Sequence, residues 1–188
     1  MRPLILATCA LLLTATAAAA AELKEHEFDF TNGCSRYRFM AQLQAPAAEV
    51  LQTLVDPARI ALTNDDIRTS QVVSRASDGS FVREIRMEQC VIGICFDIRF
   101  VERVRADGPG TLAVTQLPNA GTFRRGNARW TVTSLPGGLT SLSMQAEQEP
   151  SFWVPPIVGP FLMRRTFERE VRETIGKIEE ISRAAAVR

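Results

Sequence analysis

The chain has 188 residues, 22 basic and 21 acidic side chains, a single histidine and 46% hydrophobic residues. A formal net charge of +1 exerts no global pull toward nucleic acid or anionic surfaces, so nucleic acid is excluded as an expected partner. The length suits one domain with a real core.

Residues 1–21 read as a secretory signal peptide: Met1-Arg2, an apolar stretch from Leu4 through Leu13, and small residues ending in Ala19-Ala20-Ala21. Cys9 lies inside the apolar stretch, a poor position for lipid attachment. Cleavage after Ala21 removes Arg2 and no acid, leaving residues 22–188 as a single, charge-balanced domain. No later stretch is long and apolar enough to span a bilayer. An exported protein, periplasmic in a cell with two membranes, is therefore expected. In an oxidising compartment the close pair Cys90 and Cys95 is expected to bond, leaving Cys34 free or available to a second chain. With His26 the only histidine and no second cysteine pair, no metal site and no cofactor are expected.

Along the mature chain, Tyr37, Phe39, Ala41 and Leu43 alternate with polar residues at the period of a strand with one covered face. Pro46 suits the start of a short helix over 47–55, striped by Val50, Leu51, Leu54 and Val55 and ended by Asp56-Pro57. Six strand-like segments follow: Ile67 to Arg75, Ser80 to Cys90, Ile94 to Arg105, Thr111 to Leu117, Arg124 to Ser134 and Leu139 to Glu147. Turn signals such as Ser77-Asp78-Gly79 and Asp107-Gly108-Pro109-Gly110 separate them. A rigid apolar run, Phe152-Trp153-Val154-Pro155-Pro156-Ile157-Val158-Gly159-Pro160-Phe161, reads as a connection, because its prolines oppose helix. Beyond it, Phe167, Val171, Ile175 and Ile178 recur at helical spacing among charged residues.

If Cys90 and Cys95 face each other across a hairpin turning at Gly93, Ile85 opposes Phe100 and Met87 opposes Ile98 on one apolar face. Arg83 and Glu102 then meet on that same face. Two readings follow: a polar anchor inside a ligand cavity, or a half-wet pair at the rim of the sheet.

The sum of elements is α+β: a curved antiparallel sheet of about seven strands, a short helix after the first strand, and a long C-terminal helix across the sheet. This order, with Ala45-Pro46-Ala47-Ala48-Glu49-Val50 opening the first helix and Asp56-Pro57 after it, resembles the START-related, polyketide-cyclase-like superfamily with the helix-grip fold. The cysteine hairpin and the proline-rich run look like an exported bacterial branch of it. The resemblance covers about Tyr37 to Ile181 and implies a hydrophobic ligand held between sheet and terminal helix.

The residues expected on the ligand-facing side are Phe39, Arg83, Ile85, Met87, Phe96, Ile98, Phe100, Glu102, Trp130 and Met144, with Phe152, Trp153 and Phe161 at the mouth. They suit binding or transfer of a lipid, quinone or sterol-like molecule in the periplasm. Phe152 and Trp153 suit transient membrane contact, with Arg164 and Arg165 near head groups, or alternatively a plug against the terminal helix. Two other functions compete: a cyclase- or hydrolase-like enzyme using the same cavity, and a dimeric interaction protein using the apolar loop, with Cys34 linking a homodimer. The catalytic inventory is thin. His26 is expected before the first strand, Tyr37 reads as a packing aromatic, and no serine has an evident base. The cluster Arg124, Arg125 and Arg129 reads as a solvated turn.

Overall fold

The computed structural model describes residues 21–91, 94–156 and 158–188. The signal-peptide expectation, Ala21 aside, and the Gly93 turn fall outside them. In chain order the elements are β1 (Glu22–Thr31), β2 (Cys34–Leu43), α1 (Ala47–Val55), α2 (Pro57–Ile60), β3 (Ile67–Arg75), β4 (Phe81–Val91), β5 (Ile94–Ala106), β6 (Thr111–Gln116), β7 (Phe123–Ser134), β8 (Thr140–Pro150) and α3 (Val158–Ala186). Among the described residues no helix is long and apolar enough to cross a membrane.

All eight strands form one antiparallel sheet in the order β1-β2-β8-β7-β6-β5-β4-β3. The expected seven strands lacked β1. Its alternation is masked because residues 24–27 are all charged or imidazole side chains, which an exposed edge strand tolerates. His26 therefore lies within a strand, 3.8 Å from Glu168 of α3.

Asp56 ends α1 and also starts α2, its Oδ1 accepting from the N–H groups of Ala58 (2.8 Å) and Arg59 (3.3 Å) with Pro57 in the first turn. Helix α3 begins at Val158, so Pro160 and Phe161 are helical rather than part of the connection. Proline is tolerated there because a first-turn N–H has no intrahelical acceptor to lose. Gly159 is buried under Val154, and its N–H donates to the Pro155 carbonyl (2.9 Å); a Cβ would strike Val154. The close approach fixes the preceding loop to the helix start.

The inner face of the sheet carries the core. Phe39, Ala41, Leu43, Leu142 and Met144 meet Val50 and Leu54 of α1 and Val171, Ile175 and Ile178 of α3. Helix α3 lies closest to α1, β1 and β2. Its buried Glu179 accepts from the Gln44 N–H (2.7 Å), and Ser182 Oγ lies 3.0 Å from Thr53 Oγ1. These bonds satisfy polar groups that burial would otherwise penalise. The N-terminal half of α3 meets the sheet through Phe167, which packs on Phe28 (5.8 Å) and Tyr37 (5.0 Å) between ring centres.

Candidate functional site

Strand registers put the inward residues in rows. One row is apolar: Phe39 opposes Met144, Met144 opposes Trp130, and Trp130 opposes Leu112. Phe39 and Met144 are buried, and Trp130 is half-buried with its ring edge-on to Phe39 at 5.8 Å. A second apolar set comes from β4 and β5, where Ile85 opposes Phe100 and Met87 opposes Ile98. Ile85 is buried, whereas Met87, Ile98 and Phe100 are half-buried although they face inward. The expected face assignment holds for all of these.

A polar row crosses the same wall. Arg83 opposes Glu102, and Glu102 opposes Gln116. Arg83 Nε donates to Glu102 Oε1 at 2.6 Å, Gln116 Nε2 donates to Glu102 Oε2 at 3.0 Å, and Arg83 Nη1 donates to the Leu54 carbonyl at 2.6 Å. Arg83 and Glu102 are only 5% and 6% exposed, so the half-wet rim reading is overturned. The reason is α1: the carbonyl near its C-terminus comes down on the guanidinium and replaces the water a rim position would provide.

The row continues to Gly126, where a Cβ would come within 2.9 Å of Gln116 Cγ and 3.1 Å of Gln148 Cγ. Gly126 thus makes room for two inward glutamines. Sequence reasoning noted the arginines beside it but missed Gln116 and Gln148. An isolated glycine within a strand pattern is the signal that marks such a close approach.

Tyr37 stands close to this row. Burial first, and the Glu102 charge second, hold its phenol above the ordinary range, so it is protonated at neutral pH and available as a donor. Among the described residues, neither the Tyr37 hydroxyl nor Arg83 Nη2 has a hydrogen-bond partner, and Ser70 Oγ is the one side-chain polar atom sealed from water without a partner. The Tyr37 hydroxyl and Arg83 Nη2 are therefore not fully sealed from solvent. Met87, Ile98, Phe100 and Trp130 are half-buried on the same face of the sheet, and α3 packs chiefly on α1, β1 and β2.

One end of the molecule collects the β1–β2 turn, the α2–β3 loop, the β4–β5 hairpin, the loop after β6 and the connection into α3. A cleft of about 740 Å³ lies there, lined by Phe30, Asn32, Phe152, Trp153, Val154 and Pro160 among others. Trp153 is 77% exposed and Phe161 63% exposed. Leu62, Phe96, Phe152 and Val158 are also exposed. Trp153 is therefore no plug, while Phe152 is partly covered by Phe96, stacked at 6.4 Å. Phe100 stacks on Phe123 at 5.0 Å, just inside the same end.

The basic residues resolve locally, and Arg124, Arg125 and Arg129 lie in strand β7 rather than in a turn. Arg164 Nη2 donates to the Phe28 carbonyl at 3.1 Å, tying α3 to β1, while Arg165 stays exposed. Arg125 pairs with Glu149 at 2.7 Å and Arg129 with Asp107 at 2.7 Å, which keeps both on the outer face.

Cys90 and Cys95 are bonded, and their outer-face position matches the hairpin register. Glu88, Cys90 and Cys95 place ligand-type atoms within 4.8 Å of one another, but both sulfurs are committed to the bridge. Cys34 is buried, its thiol donating to Glu147 Oε1 at 3.2 Å. Burial first, and the Glu147 carboxylate second, raise its pKa. A covered, un-ionised thiol is a poor link to a second chain.

Most of the chain resembles solved structures. It is similar to a START superfamily protein from Mycobacterium smegmatis (18% identity, 78% of this chain and 98% of that one, TM-score 0.62). It is also similar to the Zhui aromatase/cyclase from Streptomyces sp. R1128 (17% identity, 82% and 96%, TM-score 0.63). The human StarD13 lipid transfer and protein localization domain matches as well (12% identity, 88% and 85%, TM-score 0.63). No protein-family model and no curated protein matches the chain. The fold is thus START-like and polyketide-cyclase-like, a helix-grip arrangement of an antiparallel sheet and a long C-terminal helix, and at these identities the likeness establishes the fold alone.

Proposed function

We propose that this chain is an exported, periplasmic carrier that binds a hydrophobic small molecule, a lipid, quinone or sterol-like compound, between the sheet and α3. The observation that carries the reading is a pair of donors, Tyr37 O–H and Arg83 Nη2, that have no partner among the described residues and are not sealed from solvent, on a face otherwise lined by half-buried apolar side chains. An accessible apolar wall with a few convergent polar groups is the usual form of a small-molecule site.

The chemistry of the row narrows the guest. Both Glu102 oxygens are engaged and its charge is balanced by Arg83, so the row offers donors without a net charge. Such a site favours a neutral acceptor oxygen, a carbonyl or hydroxyl, over a carboxylate. The same occupancy leaves Glu102 without a free oxygen to act as a base, and His26 sits half-exposed beside Glu168 on β1. That favours carriage over the cyclase-like alternative.

The apolar end supplies the route. Trp153, Phe161, Phe152 and Leu62 present aromatic and aliphatic surface beside exposed Arg165, a combination suited to the boundary of an anionic bilayer. The reading is tested by mixing the mature protein with vesicles of phosphatidylglycerol and phosphatidylcholine that carry a fluorescent phospholipid. Saturable uptake and faster transfer to acceptor vesicles are expected. Absence of uptake for phospholipid, quinone and sterol probes alike would overturn it.

A further inference from the structure

The Cys90–Cys95 bridge has a use that goes beyond holding the fold. Both cysteines are exposed, and they lie directly opposite each other in strands that are already paired. The bridge closes a loop with a sequence separation of only 5. Cross-links over short loops remove little freedom from the unfolded chain, so this one acts mainly on its own end of the hairpin.

That end is under electrostatic load. Glu88 directly opposes Asp97 on the outer face, next to the bridge, and like charges in that position push strands apart. The next pair along, Arg86 and Arg99, is also of one sign, but Glu84 sits between the two guanidiniums and bonds both. Beyond the flanking Arg86 and Arg99, whose guanidiniums are engaged by Glu84, the anionic pair has one ion-pair partner among the described residues, Arg68, 3.3 Å from Glu88. The disulfide joins the two strands beside this like-charged pair. On the inner face, the residue next to Cys95 is Phe96, whose ring stacks on Phe152 at the mouth.

We propose that Cys90–Cys95 is a reducible clasp on the mouth, serviced by a dithiol. A thiolate of the dithiol attacks one sulfur of the bridge, forming a mixed disulfide and releasing the other cysteine. The second thiol of the reductant then displaces the first. Cys90 and Cys95 end as two thiols, and the reductant leaves as a disulfide, so two electrons and two protons pass to the protein. With the bridge open, the Glu88–Asp97 repulsion parts the strand ends, Phe96 withdraws from Phe152, and guest exchange speeds up. Exposed disulfides are the ones that take part in such exchange.

This inference rests on the carrier reading for its consequence, and the test separates the two. The mature protein is compared before and after dithiothreitol, together with Cys90→Ser/Cys95→Ser, Phe96→Ala and Glu88→Gln/Asp97→Asn. Two readouts are followed: exchange of a fluorescent phospholipid with phosphatidylglycerol vesicles, and amide hydrogen exchange over residues 94–99 and 151–156. Reduction is expected to raise both rates severalfold without unfolding the chain. The double serine variant should match the reduced protein. In Phe96→Ala the lipid-exchange rate should no longer respond to reduction, and Glu88→Gln/Asp97→Asn should blunt the response, as should high salt. Equal amide exchange in both redox states, or a bridge that dithiothreitol opens only on unfolding, would overturn the clasp. If phospholipid, quinone and sterol probes all fail to bind in either state, the carrier reading fails, and the amide exchange still decides the clasp.

Discussion

Removing Glu102 is the sharpest probe of the polar row. In Glu102→Ala, Arg83 loses the acceptor for its Nε (2.6 Å) and keeps only the Leu54 carbonyl, while Gln116 Nε2 loses its acceptor at 3.0 Å. Arg83 is only 5% exposed, so little water reaches its Nε to replace the lost carboxylate. Breaking a buried pair from one side costs about 3–5 kcal/mol, because the survivor is an uncompensated charge. In a domain of this size that lowers the melting temperature on the order of 10 °C. Replacing both partners with apolar side chains, Arg83→Met with Glu102→Leu, removes the charges together and should cost less than Glu102→Ala, although the Leu54 carbonyl and Gln116 Nε2 then lose their partners. Urea titration of the wild type, Arg83→Met, Glu102→Leu and the double variant closes the cycle, and lipid or quinone titration of the double variant reads the site. The double variant is expected to fold, to bind apolar guests, and to lose its preference for guests carrying a carbonyl. A Glu102→Ala cost below about 1 kcal/mol, the range of exposed pairs, would refute the reasoning by showing that the pair is wet.

Further outcomes follow from other parts of the structure. Phe152→Ala with Trp153→Ala should slow transfer from vesicles while changing stability by no more than about 0.5 kcal/mol, since Trp153 is largely exposed; transfer assays and urea titration report the two effects. Gly126→Ala should destabilise by about 1–3 kcal/mol through overpacking against Gln116 and Gln148 and should also weaken guest binding; calorimetry with and without guest separates them. The carboxyl of Glu84 is held low by Arg99 and then Arg86. A depressed folded pKa gives stability that is present above the unfolded value, about 4.3, and is lost as pH falls through the folded value. Glu84→Gln should therefore flatten the acid side of the stability profile below about pH 4.3, measured by urea midpoints against pH.

Much of the wall was legible because one covalent constraint propagates through a regular ladder. Once Cys90 faces Cys95, the meetings of Arg83 with Glu102 and of Met87 with Ile98 follow from the period of a strand, and the structure shows both. Strand β1 was hidden because charges crowd its start, and an edge strand needs no strict alternation. The depth of the Arg83–Glu102 pair was also hidden, since the group that covers it, the Leu54 carbonyl, comes from a helix distant in the chain. Gln116 and Gln148 carry no local signature. Only their convergence over Gly126 makes them part of one row.

The central claim is that a greasy guest occupies the space beside Tyr37 and Arg83. Native mass spectrometry of the protein recovered from its own host, followed by organic extraction, tests it most directly. The account predicts a population heavier by one extractable hydrophobic molecule that carries a carbonyl or hydroxyl oxygen, diminished in Arg83→Met/Glu102→Leu. Protein that emerges at its bare mass and takes up nothing when incubated with host membranes would contradict it.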